Sequence, residues 1–335
     1  MDVVASHVHR WRTAVFKKVP KVLLPNESQQ QQAPLLESLV FIMDSPNSTQ
    51  NPFGGGQLPQ LQYLYCQGAS LPWSGGLLSG LSSLTIDNKK LQSITELDLA
   101  HILTSNPLLT ALRIEQRRSD LKKRYPGTFP ILHRPQLKSL ELDLPGSLSD
   151  FVLRHVHAPE CSRFGYRVRD GWEASRQSLV RFFHSTLSSA SARPNLLPRL
   201  TIISEHRSLV LATKCDGEDS IGHPTFFASL SRISSARLLD WTVDHLLPST
   251  NADLAITLWL PGGFPFKTKS QLQEFLRRLP PATDLVIAEG YKPDVLFDLL
   301  SVTLEDNESV NGGSFLLPGM KEITLYAPDC DWNDF

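Results

Sequence analysis

The chain has 335 residues, of which 41% are hydrophobic and 20% are charged, and its formal net charge is −1. This balance excludes an intrinsically disordered chain, which would be less apolar, and a general polyanion-binding protein, which would be strongly basic. Leucine supplies 54 of the residues, about one in six, and is the unusual feature of the composition.

Residues 1–33 are interpreted as an N-terminal strand and linker. Residues 1–18 carry His, Arg and Lys throughout and hold no apolar run of signal-peptide length. Residues 26–33 include four consecutive glutamines, and residues 45–57 are rich in Asn, Ser, Pro and Gly, so both stretches are predicted to be surface loops. Since no segment has the pattern of a membrane-spanning helix, we expect an intracellular protein, in the cytoplasm or nucleus, without membrane contact.

A leucine phrase of the form L-x-x-L-x-(apolar) recurs along the first half of the chain. The first positions of six copies are 25, 20, 28, 28 and 24 residues apart, inside the period of about 20–29 residues that is typical of leucine-rich repeats. The alternating end of each phrase predicts a short strand, and its leucines are buried only if neighbouring units stack. The copies begin at Leu36, Leu61, Leu81, Leu109 and Leu137, with softer copies at Cys161 and Met320.

Residues 34–170 are therefore predicted to form leucine-rich-repeat-like units. The fold class is α/β, a solenoid with a curved parallel sheet and helices on its convex side. Between the phrases, Ser93 and Glu96 are predicted to form a capping box, and the helix that follows is expected to end near Asn106, because a proline comes next. Ser147 with Asp150 predicts the start of a second helix.

Residues 171–335 are less regular and are interpreted as degenerate strand–helix repeats that complete the same solenoid. Thr268 is predicted to cap one helix, and Pro293 is predicted to be the first residue of another. Strand-like runs lie at residues 200–203, 208–211, 255–260 and 284–287.

His155, His157 and Cys161 are the closest approach to a metal-binding set. On an extended segment the two histidines would share a face, but a closed zinc site needs a complete tetrahedral set of ligands, and the sequence offers no further one. Cys161 occupies the first position of a leucine phrase, which points into the core. We therefore interpret it as a structural cysteine, interpret both histidines as exposed, and predict no metal site.

No catalytic or cofactor-binding residue, and no cofactor, is predicted. The sequence lacks a G-x-S-x-G elbow, a Rossmann glycine fingerprint, a kinase motif set and an H-E-x-x-H helix.

The basic run from Arg113 to Arg124 is interpreted as a solvated connector, and with a pI near 6.8 no nucleic-acid partner is predicted. The alternative interpretation is an unrecognised, hydrolase-like enzyme with its site within residues 171–335.

Residues 7–12, His-Val-His-Arg-Trp-Arg, resemble the H-x-H-R-W-R phrase of the F-box and leucine-rich-repeat proteins of mushroom-forming fungi. In that family the phrase precedes a strand and then P-x-L-x-x-L repeats, similar to residues 34–39, 59–64 and 159–164. The resemblance implies the substrate-recognition subunit of an SCF-type ubiquitin ligase, whose F-box binds an adaptor while its repeats hold the target. Only six residues precede the phrase here, so we expect the F-box itself to be missing, which counts against an adaptor or cullin complex. Two explanations stay open: a chain that lost its F-box, and a ubiquitin-ligase subunit whose sequence is truncated.

We therefore predict a non-enzymatic protein-interaction module that binds a protein partner on the concave face of its sheet. The side chains between the buried leucines are the natural contacts. Tyr63, Tyr65 and Arg113 are the predicted anchors, because aromatic and arginine side chains dominate binding energy, and Glu141 belongs to the same site. The other predicted lining residues are Glu37, Ser38, Val40, Gln62, Ser83, Thr85, Ala111 and Ser139.

Overall fold

A computed structural model divides the chain into two compact units, Met1–Cys161 with Val168–Phe182 and Ser162–Arg167 with Phe183–Phe335. It describes residues 7–17, 33–43, 58–68, 79–88, 94–116, 125, 127–161, 163–168 and 172–191, residue 244, and the backbone of the strands between 198 and 325.

The described residues form short strands, three helices and a 3-10 turn at Val8–Arg10. The helices are α1 (Glu96–Ser105), α2 (Gly146–His155) and α3 (Trp172–Ser191). The strands, in chain order, are β1 (Thr13–Lys17), β2 (Ser38–Ile42), β3 (Tyr63–Gln67), β4 (Ser83–Asn88), β5 (Ala111–Gln116), β6 (Leu132–His133), β7 (Ser139–Asp143), β8 (Val156–His157), β9 (Arg163–Val168), β10 (Pro198–Glu205), β11 (Ser208–Cys215), β12 (Thr225–Leu230), β13 (Ala255–Leu260), β14 (Thr283–Ile287) and β15 (Ile323–Leu325).

The first unit is built on a parallel sheet. Strands β1, β2, β3, β4, β5 and β7 lie side by side in that order, and each is parallel to the next. Parallel neighbours need a connection that returns to the same end of the sheet, and α1 supplies one between β4 and β5. The predicted α/β class with a parallel sheet and helices is therefore confirmed.

Two ladders of apolar side chains form the core beneath this sheet. The strand pairing places the second leucine of each phrase at one level on five adjacent strands, and each of these leucines is at most 1% exposed. They are Leu39, Leu64, Leu84, Leu112 and Leu140. The last apolar position of each phrase forms the second ladder, namely Phe41, Cys66, Ile86, Ile114 and Leu142.

Helix α1 begins two residues later than the sequence predicts. Its N-cap is Thr95, whose Oγ1 accepts from the Asp98 N–H at 3.2 Å, while the Asp98 carboxylate accepts from the Thr95 N–H at 2.9 Å. The predicted capping box of Ser93 and Glu96 is thus wrong. The reason is a tertiary contact: the buried Gln116 side chain accepts from the Ile94 N–H at 2.6 Å, which ties that residue to β5 and leaves Thr95 as the cap.

Helix α2 is present where it was predicted, but Ser147 does not cap it. The helix begins at Gly146, and its N-cap, Pro145, makes no side-chain cap hydrogen bond. The buried Ser149 hydroxyl donates instead to the Leu144 carbonyl at 3.3 Å. Asp150 accepts from the Ser178 hydroxyl on α3 at 2.7 Å, so its carboxylate joins two helices and does not close a cap.

The end of α1 is fixed by Asn106, which is fully buried. Its Nδ2 donates to the Ile102 carbonyl at 2.8 Å, and its Oδ1 accepts from the Leu81 N–H at 2.8 Å. One side chain therefore satisfies a carbonyl of the last helical turn and joins it to the preceding leucine phrase. The predicted end of this helix near Asn106 is confirmed.

Gly68, just after β3, occupies a position that requires glycine. Its φ is +66°, and a Cβ there would lie 2.1 Å from the Met43 carbonyl oxygen. Its N–H donates to the Asp87 carbonyl at 3.0 Å. Glycine has no Cβ and tolerates a positive φ. The backbone at the end of β3 can therefore pass close to the Met43 carbonyl, which no other residue would allow.

The second unit contains a sheet in the order β11-β10-β13-β14-β15. Strands β10 and β11 pair antiparallel, and β10, β13, β14 and β15 are each parallel to the next. The four predicted strand runs lie within β10, β11, β13 and β14 and are confirmed. The predicted helices at Thr268 and Pro293 lie outside the described residues.

Candidate functional site

The side chains that alternate with the buried leucines lie on the other face of the first unit's sheet, which we name the alternate face. Because successive residues of a strand point to opposite sides, the strand register arranges them in three rows. The rows are Ser38, Tyr63, Ser83, Ala111 and Ser139; then Val40, Tyr65, Thr85, Arg113 and Glu141; then Ile42, Gln67, Asp87, Glu115 and Asp143.

Two tyrosines stand on the part of this face formed by β2, β3 and β4. Tyr63 is 37% exposed and has Ser38 and Ser83 as its register neighbours, so short side chains flank its ring. Tyr65 is half-buried, and its hydroxyl donates to Gln67 Oε1 at 3.3 Å. The Cα atoms of the two tyrosines lie on one strand, about 7 Å apart along it. Both predicted aromatic anchors are therefore brought to one surface.

Arg113 lies between two carboxylates on the part of the face formed by β5 and β7. Its Nη1 is 3.3 Å from Glu141 Oε2, and its Nη2 is 3.9 Å from Glu115 Oε2. The Arg113 side chain is 53% exposed, and the Glu115 side chain is 8% exposed. An exposed ion pair contributes little to stability. The pair does restrict the conformations that the arginine side chain can adopt.

The acidic row at the carboxyl ends of the strands was missed from the sequence. Asp87, Glu115 and Asp143 each follow the last apolar residue of a leucine phrase, and β4, β5 and β7 extend far enough to include them. The leucine phrase, as defined from the sequence, ends at its last apolar residue and so does not include these three acidic residues. The signal that could have found them is an acidic residue at the same offset in three consecutive phrases.

Two of the predicted lining residues, Glu37 and Gln62, act at the turns that precede β2 and β3. The Glu37 carbonyl accepts from the Gln62 N–H at 2.9 Å, and the Gln62 carbonyl accepts from the Ser82 N–H at 2.8 Å. Their backbones thus connect successive repeats. The Glu37 side chain is exposed and lies 3.6 Å from Arg12 Nη1.

The arrangement considered for a metal at His155, His157 and Cys161 is corrected by the structure. His155 is the last residue of α2 and His157 belongs to β8, so the two do not share one extended segment. Cys161 is buried, as predicted, whereas His155 and His157 are both half-buried and not exposed. Within the described part of the chain, no group of three or more His, Cys, Asp and Glu residues could hold a metal ion.

His155 lies in an aromatic cluster between α2 and the segment before β6. Its ring centroid is 5.3 Å from that of Phe129 and 5.0 Å from that of Phe151. Among the described residues its Nδ1 has no hydrogen-bond partner. Burial lowers the pKa of His155 and the Arg154 cation lowers it further, against opposite effects of Asp150, of Glu96 and of a hydrogen bond with the Phe129 backbone.

The free energy of unfolding is expected to fall as the pH decreases from about 7.5 to about 5.5, a range that includes the ordinary pKa of a histidine side chain. Below that value the unfolded chain binds a proton that the folded His155 resists, so protonation favours unfolding. Urea unfolding at several pH values measures this dependence. His155→Leu is expected to flatten the profile, and Leu108→Ala, a control at a residue that is 62% exposed, is expected to leave its shape unchanged. Parallel profiles for wild type and His155→Leu would contradict the prediction.

The chain matches no protein-family model, no curated protein and no solved structure. Among the described residues no helix is long and apolar enough to cross a membrane. The candidate site of this chain is the sheet face on which two tyrosines and the Arg113–Glu141 ion pair lie together.

Proposed function

We propose that this chain is a non-enzymatic protein-interaction module: a leucine-rich-repeat-like solenoid whose alternate face binds a protein partner. The observation that supports it is the strand register. One face of the first unit's sheet is occupied by the leucine ladders, and the register gathers Tyr63, Tyr65, Arg113 and Glu141 on the other. A surface backed by a rigid, close-packed core holds its contact side chains in place before binding.

The alternate face combines two kinds of contact. The register neighbours of Tyr63 and Tyr65 are uncharged, which suits burial of apolar and aromatic groups of a partner. Around Arg113 and Glu141 the face carries an ion pair, which suits polar groups and fixes the orientation of the partner. Interfaces whose affinity rests on a few aromatic and arginine side chains have this composition.

The resemblance of residues 7–12 to the F-box and leucine-rich-repeat family extends this proposal. In that family the repeats hold a protein destined for ubiquitination by an SCF-type ligase. On that analogy, the partner of the alternate face is such a substrate, and the repeats act as its recognition surface.

Tyr63→Ala with Tyr65→Ala is expected to weaken partner binding. Each truncation at an anchor costs about 1–2 kcal/mol, which is about five- to thirtyfold in affinity. The measurement is quantitative affinity purification from the source cells, followed by titration of the purified partner against each variant. Leu108→Ala with Ile131→Ala is the matched control, because both residues are 62% exposed and lie outside the three rows. Equal retention of the same partners by the double-tyrosine variant and the control would overturn the proposal.

A further inference from the structure

Two histidines face each other on the small parallel ladder formed by β6 and β8. His133 and His157 are partners in the register, and their ring centroids are 5.1 Å apart with the ring planes at 74°. His133 is exposed and His157 is half-buried. In the described part of the chain neither imidazole makes a hydrogen bond or an ion pair with another side chain. The exposed His133 ring is open to solvent, and the His157 ring lies beside it.

We propose that His133 and His157 together bind one divalent transition-metal ion, with water completing its coordination. Two imidazoles that each bind zinc at about 2.1 Å, with a tetrahedral angle between them, have ring centroids about 5 Å apart. The centroid separation of 5.1 Å observed here matches that requirement. Imidazole suits Cu²⁺, Ni²⁺ and Zn²⁺, and among these the affinity is highest for Cu²⁺.

Backbone hydrogen bonds hold both histidines in place. The Arg134 N–H donates to the His157 carbonyl at 2.8 Å, and the Arg134 carbonyl accepts from the Leu137 N–H at 3.1 Å. The Arg134 guanidinium is held by backbone carbonyls: its Nη2 donates to the Leu103 carbonyl at the end of α1 at 2.6 Å, and its Nη1 donates to the His133 carbonyl at 3.2 Å. The backbones of both histidines are thus fixed by a β-ladder and a turn, so only their side chains have to become ordered when a metal binds.

The chain contains a histidine pair that serves as a control. His7 and His9 lie on one 3-10 turn, and their ring centroids are 6.5 Å apart with the planes at 49°. That separation exceeds what a shared metal ion requires. If metal affinity depends on the geometry of a pair and not on the number of histidines, substitution of His133 and His157 must lower it and substitution of His7 and His9 must not.

The test uses the full, untagged chain with Zn²⁺, Ni²⁺ or Cu²⁺ added alone. We expect a saturable binding isotherm with one ion per chain, a rise in the thermal midpoint that a chelator reverses, and two nitrogen ligands in the paramagnetic resonance spectrum of the Cu²⁺ form. His133→Asn with His157→Asn is expected to weaken binding at least about tenfold. His7→Asn with His9→Asn is expected to leave it unchanged.

Two results would overturn the metal site: no saturable binding by the wild type, or equal binding by the His133/His157 double variant. The single variant His133→Gln changes the exposed member of the pair and provides a second measurement. Since the pair lies outside the alternate face, the tyrosine double variant is expected to bind the metal normally. Failure of the metal site and failure of the proposed partner surface are therefore distinguishable.

Discussion

Leu84→Ala is expected to lower the free energy of unfolding by about 3–5 kcal/mol. Leu84 has no exposed surface and lies between Leu64 and Leu112 in the ladder. Removing its branched end loses apolar burial and leaves a cavity that strands on both sides cannot close, because the parallel hydrogen bonds fix their spacing. Urea unfolding followed by circular dichroism measures the change.

Leu108→Ala is the matched control for this substitution. Leu108 is a leucine of the same repeat region and is 62% exposed, so its truncation is expected to change stability by less than about 0.5 kcal/mol. If Leu84→Ala is no more destabilising than Leu108→Ala, the leucine ladder is not the core of the first unit.

Asn106→Leu is expected to destabilise the protein by about 2–5 kcal/mol. The substitution keeps a similar volume but leaves the Leu81 N–H and the Ile102 carbonyl without their hydrogen-bond partner. Each buried polar group left in this way costs about 1–3 kcal/mol. The same urea experiment measures the loss. Thr104→Ala, at the exposed side of the same helix end, is expected to cost little, and a similar cost for both variants would contradict the role given to Asn106.

The leucine ladder could be predicted because its signal is local and repeated. Every phrase combines a strand-like alternation with a period that stacks units, so the register follows once each phrase is aligned with the next. When the phrases are aligned, Arg113 and Glu141 fall at the same offset, and so do His133 and His157. Arg113 and Glu141 each follow the second leucine of their phrase, and the histidines each lie four residues before their phrases begin at Leu137 and Cys161.

The helix caps could not be chosen from local sequence. Ser93 with Glu96 and Thr95 with Asp98 both fit the capping pattern, and the choice is made by Gln116, which binds the backbone of Ile94 from 22 residues away. For α2, Asp150 is used in contacts with Ser178 and Arg154, so its presence after Ser147 does not indicate a cap. Local propensity was overridden in both helices by a tertiary hydrogen bond or ion pair.

Oxidative cross-linking of paired cysteines tests the strand register directly, and with it the assignment of leucines to one face and contact residues to the other. Thr85 and Arg113 are register partners on neighbouring parallel strands, so Thr85→Cys with Arg113→Cys is expected to form a disulfide, identified by mass spectrometry of its tryptic peptides. Thr85→Cys with Glu141→Cys spans two strand spacings, about 10 Å, and is expected to stay reduced. A disulfide in the second variant and none in the first would contradict the parallel, in-register sheet.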